Sequence, residues 1–255
     1  MMKKDDELRY LKGFFENEPF EESDQQKGVP RPPVEKEYAK ESKLIPLPGP
    51  KEIKLKHPDL LTCIGKRKSH RQFIDKSISL DELSFLLWCT QGLAQMADDD
   101  RHHTHHAIKR VVPSGGSRHP FETYLAIFNV EGLEAGTYRY ISTKHSLVFL
   151  KKKENLAELV GEGCIGQKFC GQGAVFFCWS AIPYRTAWRY GRQMSIKLIP
   201  LDAGHIGQNL HLSCEALGLG TCMIGAYSQK AIDELFELDG VDEFAIYMAP
   251  VGVPK

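Results

Sequence analysis

The chain has 255 residues, long enough for one large domain or two small ones, and its 42% apolar and 26% charged residues are those of an ordinary globular protein. Its 33 Lys and Arg balance 33 Asp and Glu, which argues against a nucleic-acid partner but leaves room for local cationic clusters that hold a small anion. Seven cysteines without a CxxC pair suit a reducing compartment, "MMKKDDELRYLKGFF" carries no apolar leader, and no apolar run is long enough to cross a bilayer, so a cytoplasmic protein with no membrane partner is expected.

Residues 1–56 are set apart by proline and charge. The stretch "KGVPRPPVEKEYAKESKLIPLPGPKE" cannot propagate a helix or sit inside a sheet. Two readings stand for it: a disordered tail, or an extended arm over the body of residues 57–255, with "LIPLP" as its apolar anchor. In "SISLDELSFLLWCTQGL", Ser79 and Glu82 form a capping box and Leu83, Leu86 and Leu87 mark one apolar face, which predicts a helix. "ETYLAIFNV" and "GTYRYIS" predict strands joined by a turn over residues 131–136, and "SLVFLK" predicts a third. "ENLAELV" reads as a short helix and "GAVFFCWSA" as a buried strand. "IPLDAGHIGQNLHLSCEALGLG" predicts the longest helix, stopped at Gly218, with Ala203, Gly204 and Gly207 small enough for another helix to approach. "SQKAIDELFEL" predicts a last helix and "EFAIYMAPVGVP" a last strand. Helices and strands without strict alternation predict an α+β fold.

Five stretches invite a chemical reading. "DDDRHHTHHAIKR" gathers His102, His103, His105 and His106, but its flanks lack the apolar pattern that would hold metal ligands rigid, so a solvated loop and no metal are expected. "GEGCIG" matches G-x-G-x-x-G, yet a predicted helix precedes it and a strand follows, the reverse of what a dinucleotide site requires. "GKRKSHRQF" sets Lys66, Arg67, Lys68 and Arg71 around Ser69, a set able to grip phosphate, or else a plain basic turn. "VVPSGGSRHPFETY" is a Gly-Ser loop whose backbone can approach a planar ligand. "GLGTCMIGAY" places small residues after a helix stop, where N–H groups can face a ring.

Taken together and in order, "RKSHRQF", "LSFLLWCTQG", "VPSGGSRHPFETYL", "GLEAGTYRY", "LDAGHIGQNLHLSCEALGLGTCMIGAY" and the terminal "APVG" resemble the nitroreductase-like FMN flavoproteins over about residues 57–254. They are most similar to the SagB-type branch, whose members oxidise azolines to azoles in modified peptides. The resemblance implies an α+β homodimer, a central mixed or antiparallel sheet flanked by helices, and two FMN sites at the subunit interface. It places the FMN phosphate and pyrimidine edge on Arg67, Lys68, Ser69 and Arg71. The isoalloxazine falls under Pro113, Ser114, Gly115 and Ser117 of the other subunit, and flavin N5 faces the backbone of Met223, Ile224, Gly225 and Ala226.

The implied activity is ping-pong hydride transfer through N5, from NAD(P)H to a small nitroarene, quinone or enone. Arg71 or Lys68 would stabilise the reduced anion. Azoline dehydrogenases carry a Lys-Tyr pair ahead of the long helix, where this chain has Arg189 and Tyr190. An Arg pKa of about 12.5 or more makes a poor general base, whereas Tyr190 can donate or relay a proton. Lys255 is a candidate for the basic residues that several nitroreductases place near the phosphate from their C-termini. The alternatives are a dehydrogenase of an azoline or other peptide-derived heterocycle, and a flavin-binding protein without turnover.

Overall fold

Alternation of apolar and polar residues, and one continuous apolar run, build a single sheet in the computed structural model, which describes residues 11–12, 22–50, 53–94 and 109–255. The strands are β1 (Leu44–Pro46), β2 (Phe121–Ile127), β3 (Gly136–Ile141), β4 (Ser146–Lys151), β5 (Val175–Ala181), β6 (Gly220–Thr221) and β7 (Phe244–Gly252). They lie in the order β1-β4-β3-β2-β5-β7-β6, and every neighbouring pair is antiparallel. The helices are α1 (Leu60–Lys66), α2 (Leu80–Gln91), α3 (Leu156–Gly163), α4 (Tyr184–Leu217) and α5 (Gln229–Phe236). The fold is α+β, as expected, with the sheet wholly antiparallel. The histidine-rich stretch 98–106 lies outside the described residues.

The period of two assigns each strand residue to a face. Phe121, Leu125 and Ile127 of β2 and Phe177 and Trp179 of β5 pack with Leu83, Leu86 and Leu87 of α2 and Ile199, Ile206 and Leu210 of α4. Tyr124 and Ala126 of β2 and Phe176 and Cys178 of β5 point the other way, against Val160 of α3 and Ile232 and Phe236 of α5. Each large apolar side chain so buried contributes about 1.5–3 kcal/mol relative to exposure. β5 is buried at every position because both of its faces are covered, which explains its unbroken apolar sequence.

The second face is completed by the N-terminal segment. β1 pairs with β4 at the sheet edge, and Leu47 joins the core. Across the strands, Arg139 donates to the carbonyls of Lys36 and Glu37 at 3.0 and 2.9 Å, and the Lys36 N–H donates to Glu122 at 2.6 Å. The Glu35 carboxylate accepts from the N–H and hydroxyl groups of both Ser142 and Thr143. Lys36 reaches the buried Glu243 at 2.5 Å. Segment 34–37 thus satisfies polar groups that the sheet could not otherwise bury.

Two local expectations need correction. The longest helix begins at Tyr184, well before Ile199, because Gly191 takes φ 75° and ψ 167° and links a short first segment to the main one without ending the run. Arg189 and Tyr190 therefore lie within α4. The small residues of α4 have different neighbours: Ala203 is buried in the core that α2 shares with α4, a Cβ on Gly207 would meet Tyr247 of β7 at 2.8 Å and Met223 at 3.2 Å, and Gly204 faces open space. The capping box at the start of α2 is present, with Glu82 N–H on Ser79 Oγ at 3.1 Å and Ser79 N–H on Glu82 at 2.8 Å. At "GEGCIG", α3 precedes and β5 follows. Gly163 serves packing there, since a Cβ would lie 2.7 Å from Ile232. Among the described residues no helix is long and apolar enough to cross a membrane, and all seven cysteines are free.

Candidate active site

Asp59 caps α1 by accepting from the Thr62 N–H at 2.7 Å, and Arg67 closes the helix by donating its N–H to Cys63 at 3.0 Å. The chain then runs extended beside β6 and the C-terminal residues. Ser69 bridges Thr221, the His70 N–H donates to Thr221 at 2.9 Å, and the Lys255 N–H donates to Gln72 at 3.1 Å. Close approach demands Gly220, where a Cβ would sit 2.8 Å from His70 Cβ. Lys68, Ser69 and Arg71 are exposed and Arg67 is partly buried. Among the described residues no carboxylate pairs with Arg67, Lys68 or Arg71. The imidazoles of His70 and His211 are held below the usual histidine value, by burial first and then by Lys68 and Arg67 respectively. Arg67 therefore faces the main segment of α4, and its histidine neighbours remain neutral. Such a set offers permanent cations and a hydroxyl to a phosphate.

The residues after α4 divide by role. Ile224 is buried and exchanges both backbone bonds with Met248, at 2.7 and 3.2 Å, so its N–H is not available to a ring. The N–H groups of Met223, Gly225 and Ala226 donate to no described residue. Gly225 is exposed, and a Cβ there would meet nothing within 4 Å, so the backbone is open to a flat ligand. Gln167 pins the Ala226 carbonyl at 3.1 Å. Met223 rests on Gly207 of α4.

The Gly-Ser loop is anchored by a residue the sequence reading passed over. Asp202 of α4, 4% exposed, accepts from the Ser114 hydroxyl at 2.6 Å and from the Gly115 N–H at 3.1 Å. Burial raises its pKa, and these two bonds oppose the rise. Gly116 at φ 56°, Ser117 at φ 53° and, beyond the right-handed Arg118, His119 at φ 48° take left-handed backbone, which for Ser and His is sparsely populated and costs of order 1–3 kcal/mol each. Pro113 is exposed at the start of the loop. A Cβ on Gly116 would lie 2.6 Å from the Tyr190 hydroxyl and 2.8 Å from Arg189 Cδ, so the loop and the Arg189–Tyr190 pair interlock. Arg118 donates to the Gly116 carbonyl at 2.9 Å and stacks over the Trp188 ring at 5.2 Å.

One chain does not bring all of these together. Asp202, which holds the loop, and His211, beside Arg67, are about two and a half turns apart along α4. Their side chains leave the helix on opposite faces. Leu60, Leu61 and Ile64 of α1 and Ile196 and Leu201 of α4 are also exposed, apolar side chains that no described residue covers. The signals for Asp202, Arg118 and Trp188 were weak: a lone acid among small residues, an Arg in a stretch read as loop, and a Trp in a stretch given no element.

Comparisons with known proteins follow from this geometry. The model of the nitroreductase family matches residues 64–253. A provisionally named nitroreductase of Methanocaldococcus jannaschii is 32% identical over 208 residues, 82% of this chain and 95% of that protein. The trifolitoxin-processing protein TfxB of Rhizobium leguminosarum bv. trifolii is 25% identical over 176 residues, 68% of this chain but only 47% of its own length. Among solved structures, a provisionally named nitroreductase from Ralstonia eutropha superimposes with a TM-score of 0.66 at 24% identity, over 89% of this chain and 94% of its own. Another from Anabaena variabilis gives 0.63 at 27% identity, over 76% of this chain and 37% of its own.

Proposed function

The chain belongs to the nitroreductase family, and from that premise we propose that it is an FMN-dependent oxidoreductase that takes electrons from NAD(P)H and delivers them to a small electrophile such as a nitroarene, quinone or enone. The observation that carries this reading is the cation set Arg67, Lys68 and Arg71 with Ser69, fixed beside β6 and paired with no carboxylate among the described residues. The residues present fit FMN. The cations suit its phosphate, and the free N–H groups of Met223, Gly225 and Ala226 beside open space suit its ring.

Bound there, FMN would supply two-electron redox chemistry, accepting a hydride from the donor and passing it to the acceptor. Arg67 and Ser69 would hold the phosphate, and Lys68 and Arg71 would balance the negative charge of the reduced cofactor. Pro113, Ser114, Gly115 and Ser117 would cover the ring from a second copy of the chain. Two observations support such a homodimer: the loop and Arg67 lie on opposite faces of α4, and no described residue covers the exposed apolar side chains of α1 and α4. Tyr190, whose hydroxyl reaches Gly116 of the loop, is placed to give the acceptor a proton, while Arg189 remains a cation. In this reading residues 57–255 form the FMN-binding domain, and residues 1–56 form an arm upon it.

The test is spectroscopic. Purified protein mixed with FMN should show flavin absorption bands that NADPH or NADH bleaches, and replacing Arg67 and Arg71 together with Ala should weaken FMN binding by about tenfold or more. Failure to bind FMN, or bound FMN that neither a nicotinamide nor any organic donor reduces, refutes the proposal. The likeness to TfxB favours a second reading, oxidation of an azoline or other peptide-derived heterocycle with oxygen as the final acceptor. Reduction of the flavin by an azoline-bearing peptide and not by a nicotinamide would select it.

A further inference from the structure

The first segment of α4, residues 184–190, is short and set off from the rest of the helix. At Gly191, with φ 75° and ψ 167°, the backbone leaves helical geometry before the main segment begins. The start of this segment is tied to the sheet, where Arg185 pairs with Glu122 at 2.5 Å. Its other end carries Arg189 and Tyr190 against the Gly-Ser loop. The last carbonyls before such a break are open to donors from outside the helix.

Segment 23–29 provides one. The Gln25 N–H donates to the Trp188 carbonyl at 2.9 Å, and the Trp188 indole donates to the Val29 carbonyl at 2.8 Å. One turn earlier, the Tyr184 hydroxyl donates to Asp24 at 2.9 Å. The segment is a closed turn in its own right. The Lys27 N–H donates to the Ser23 carbonyl at 3.0 Å, the Val29 N–H donates to the Asp24 carbonyl at 2.9 Å, and Gly28 takes φ 76° between them. Trp188 is thus held through main chain and side chain together, and it is 3% exposed. Over its ring lies Arg118, at 5.2 Å, which donates to the Gly116 carbonyl at 2.9 Å. Gly116 in turn meets the Tyr190 hydroxyl, 2.6 Å from where a Cβ would be. Direct contacts therefore run from segment 23–29 through Trp188 to the loop and to Tyr190.

We propose that segment 23–29 is a positioning element of the active site: by holding Trp188 it holds Tyr190 against the Gly-Ser loop, where the Tyr190 hydroxyl gives the acceptor its proton. Trp188 is the positioning residue, and neither it nor segment 23–29 touches the reacting atoms. The effect on turnover rests on the flavin-oxidoreductase reading, whereas the coupling of segment 23–29 to the loop does not. Displacing a reacting group by about 1 Å slows its step by up to about 100-fold. Loosening Trp188 should therefore slow proton delivery while leaving FMN binding at Arg67–Arg71 intact.

Two variants of the full chain loosen the contact and keep Tyr190. Gln25→Pro deletes the N–H that reaches Trp188, and Trp188→Phe deletes the indole donor but keeps an aromatic ring beside Arg118. Hydrogen–deuterium exchange without flavin should be accelerated about fivefold or more in peptides covering residues 184–191 and 113–118 of both variants, with residues 202–217 unchanged. In FMN-loaded protein, FMN affinity should stay within about twofold of the parent, while reoxidation of the dithionite-reduced flavin by a nitroarene should slow about tenfold. A purely structural role for the segment would lower both together. Tyr190→Phe should slow reoxidation as well, and adding Trp188→Phe to it should slow it no further, because the group being positioned is gone. Faster exchange confined to residues 22–31, or an equal slowing by Trp188→Phe with and without Tyr190, overturns the proposal. Should the protein bind no FMN, the flavin reading falls, and the exchange measurement still decides whether segment 23–29 holds the loop.

Discussion

Replacing Asp202 should release the loop that holds Ser114 and Gly115. In Asp202→Ala the Ser114 hydroxyl and the Gly115 N–H, now 2.6 and 3.1 Å from the carboxylate, lose their acceptor inside a buried site. Hydrogen bonds to a charged acceptor contribute about 1.5–3 kcal/mol each. Burial of the carboxylate opposes that gain, as its raised pKa indicates, so the net loss should be near the lower end, about 3 kcal/mol. For a chain of this size that lowers the melting temperature by about 6–12 °C. Asp202→Asn keeps one acceptor and should cost about 1 kcal/mol. The assay is equilibrium urea unfolding of both variants, of Ser114→Ala, and of the Ser114→Ala/Asp202→Ala double variant. The cycle should show a coupling of about 1–2 kcal/mol between the two positions. Asp202→Ala within about 0.5 kcal/mol of the parent, or strictly additive effects, would refute the anchoring role. The pH dependence has a defined sign. A folded pKa above the ordinary 3.8 makes the contribution of Asp202 full below the unfolded value and smaller as pH rises through the folded one. The stability gap between the parent and Asp202→Asn should therefore narrow as pH rises from the carboxylate range toward neutrality.

Gly116→Ala meets both a left-handed φ of 56° and a Cβ 2.6 Å from the Tyr190 hydroxyl, so it should cost about 1–2 kcal/mol by urea unfolding and lower turnover by displacing Tyr190. Arg185→Leu leaves Glu122 charged, buried and short of its partner at 2.5 Å, and about 3–5 kcal/mol should be lost in the same assay. His145 bonds Tyr140 at 2.7 Å and Ser84 at 2.8 Å, and burial lowers its pKa below 6.5. Its contribution is full above the unfolded value and lost as pH falls through the folded one, so stability should decline on acidification below about 6.5, and His145→Gln should flatten that decline.

Elements whose signals are local were legible in the sequence. The capping box at Ser79 and Glu82, the apolar run of β5 and the glycine stop at Gly218 each depend on neighbours within a few residues, and each is where the sequence puts it. The start of α4 was not, because Gly191 and Pro200 look like breaks; the backbone does leave helical geometry at Gly191, but a helical segment stands on either side of it and Pro200 lies inside the second. The three candidate site segments stand out as a set only through their resemblance to a family. Ile224, included among the ring contacts, proved to be a buried strand-like residue whose N–H is spent on Met248, a pairing that joins residues far apart in sequence. Asp202 was hidden for the same reason, since the loop it holds comes from 87 residues away in the chain.

The docking of segment 34–37 has a consequence in time. Lys36 leaves the ribosome early, but its partner Glu243 follows 207 residues later. At about 5–20 residues per second, about 10–40 s pass before the acceptor exists. Throughout that interval segment 34–37 lacks the acceptor on which it docks. The prolines beside it and its alternating charges prevent it from forming a sticky strand while it waits. The composition that reads as disorder thus suits a segment made well before Glu243 and docked only after it.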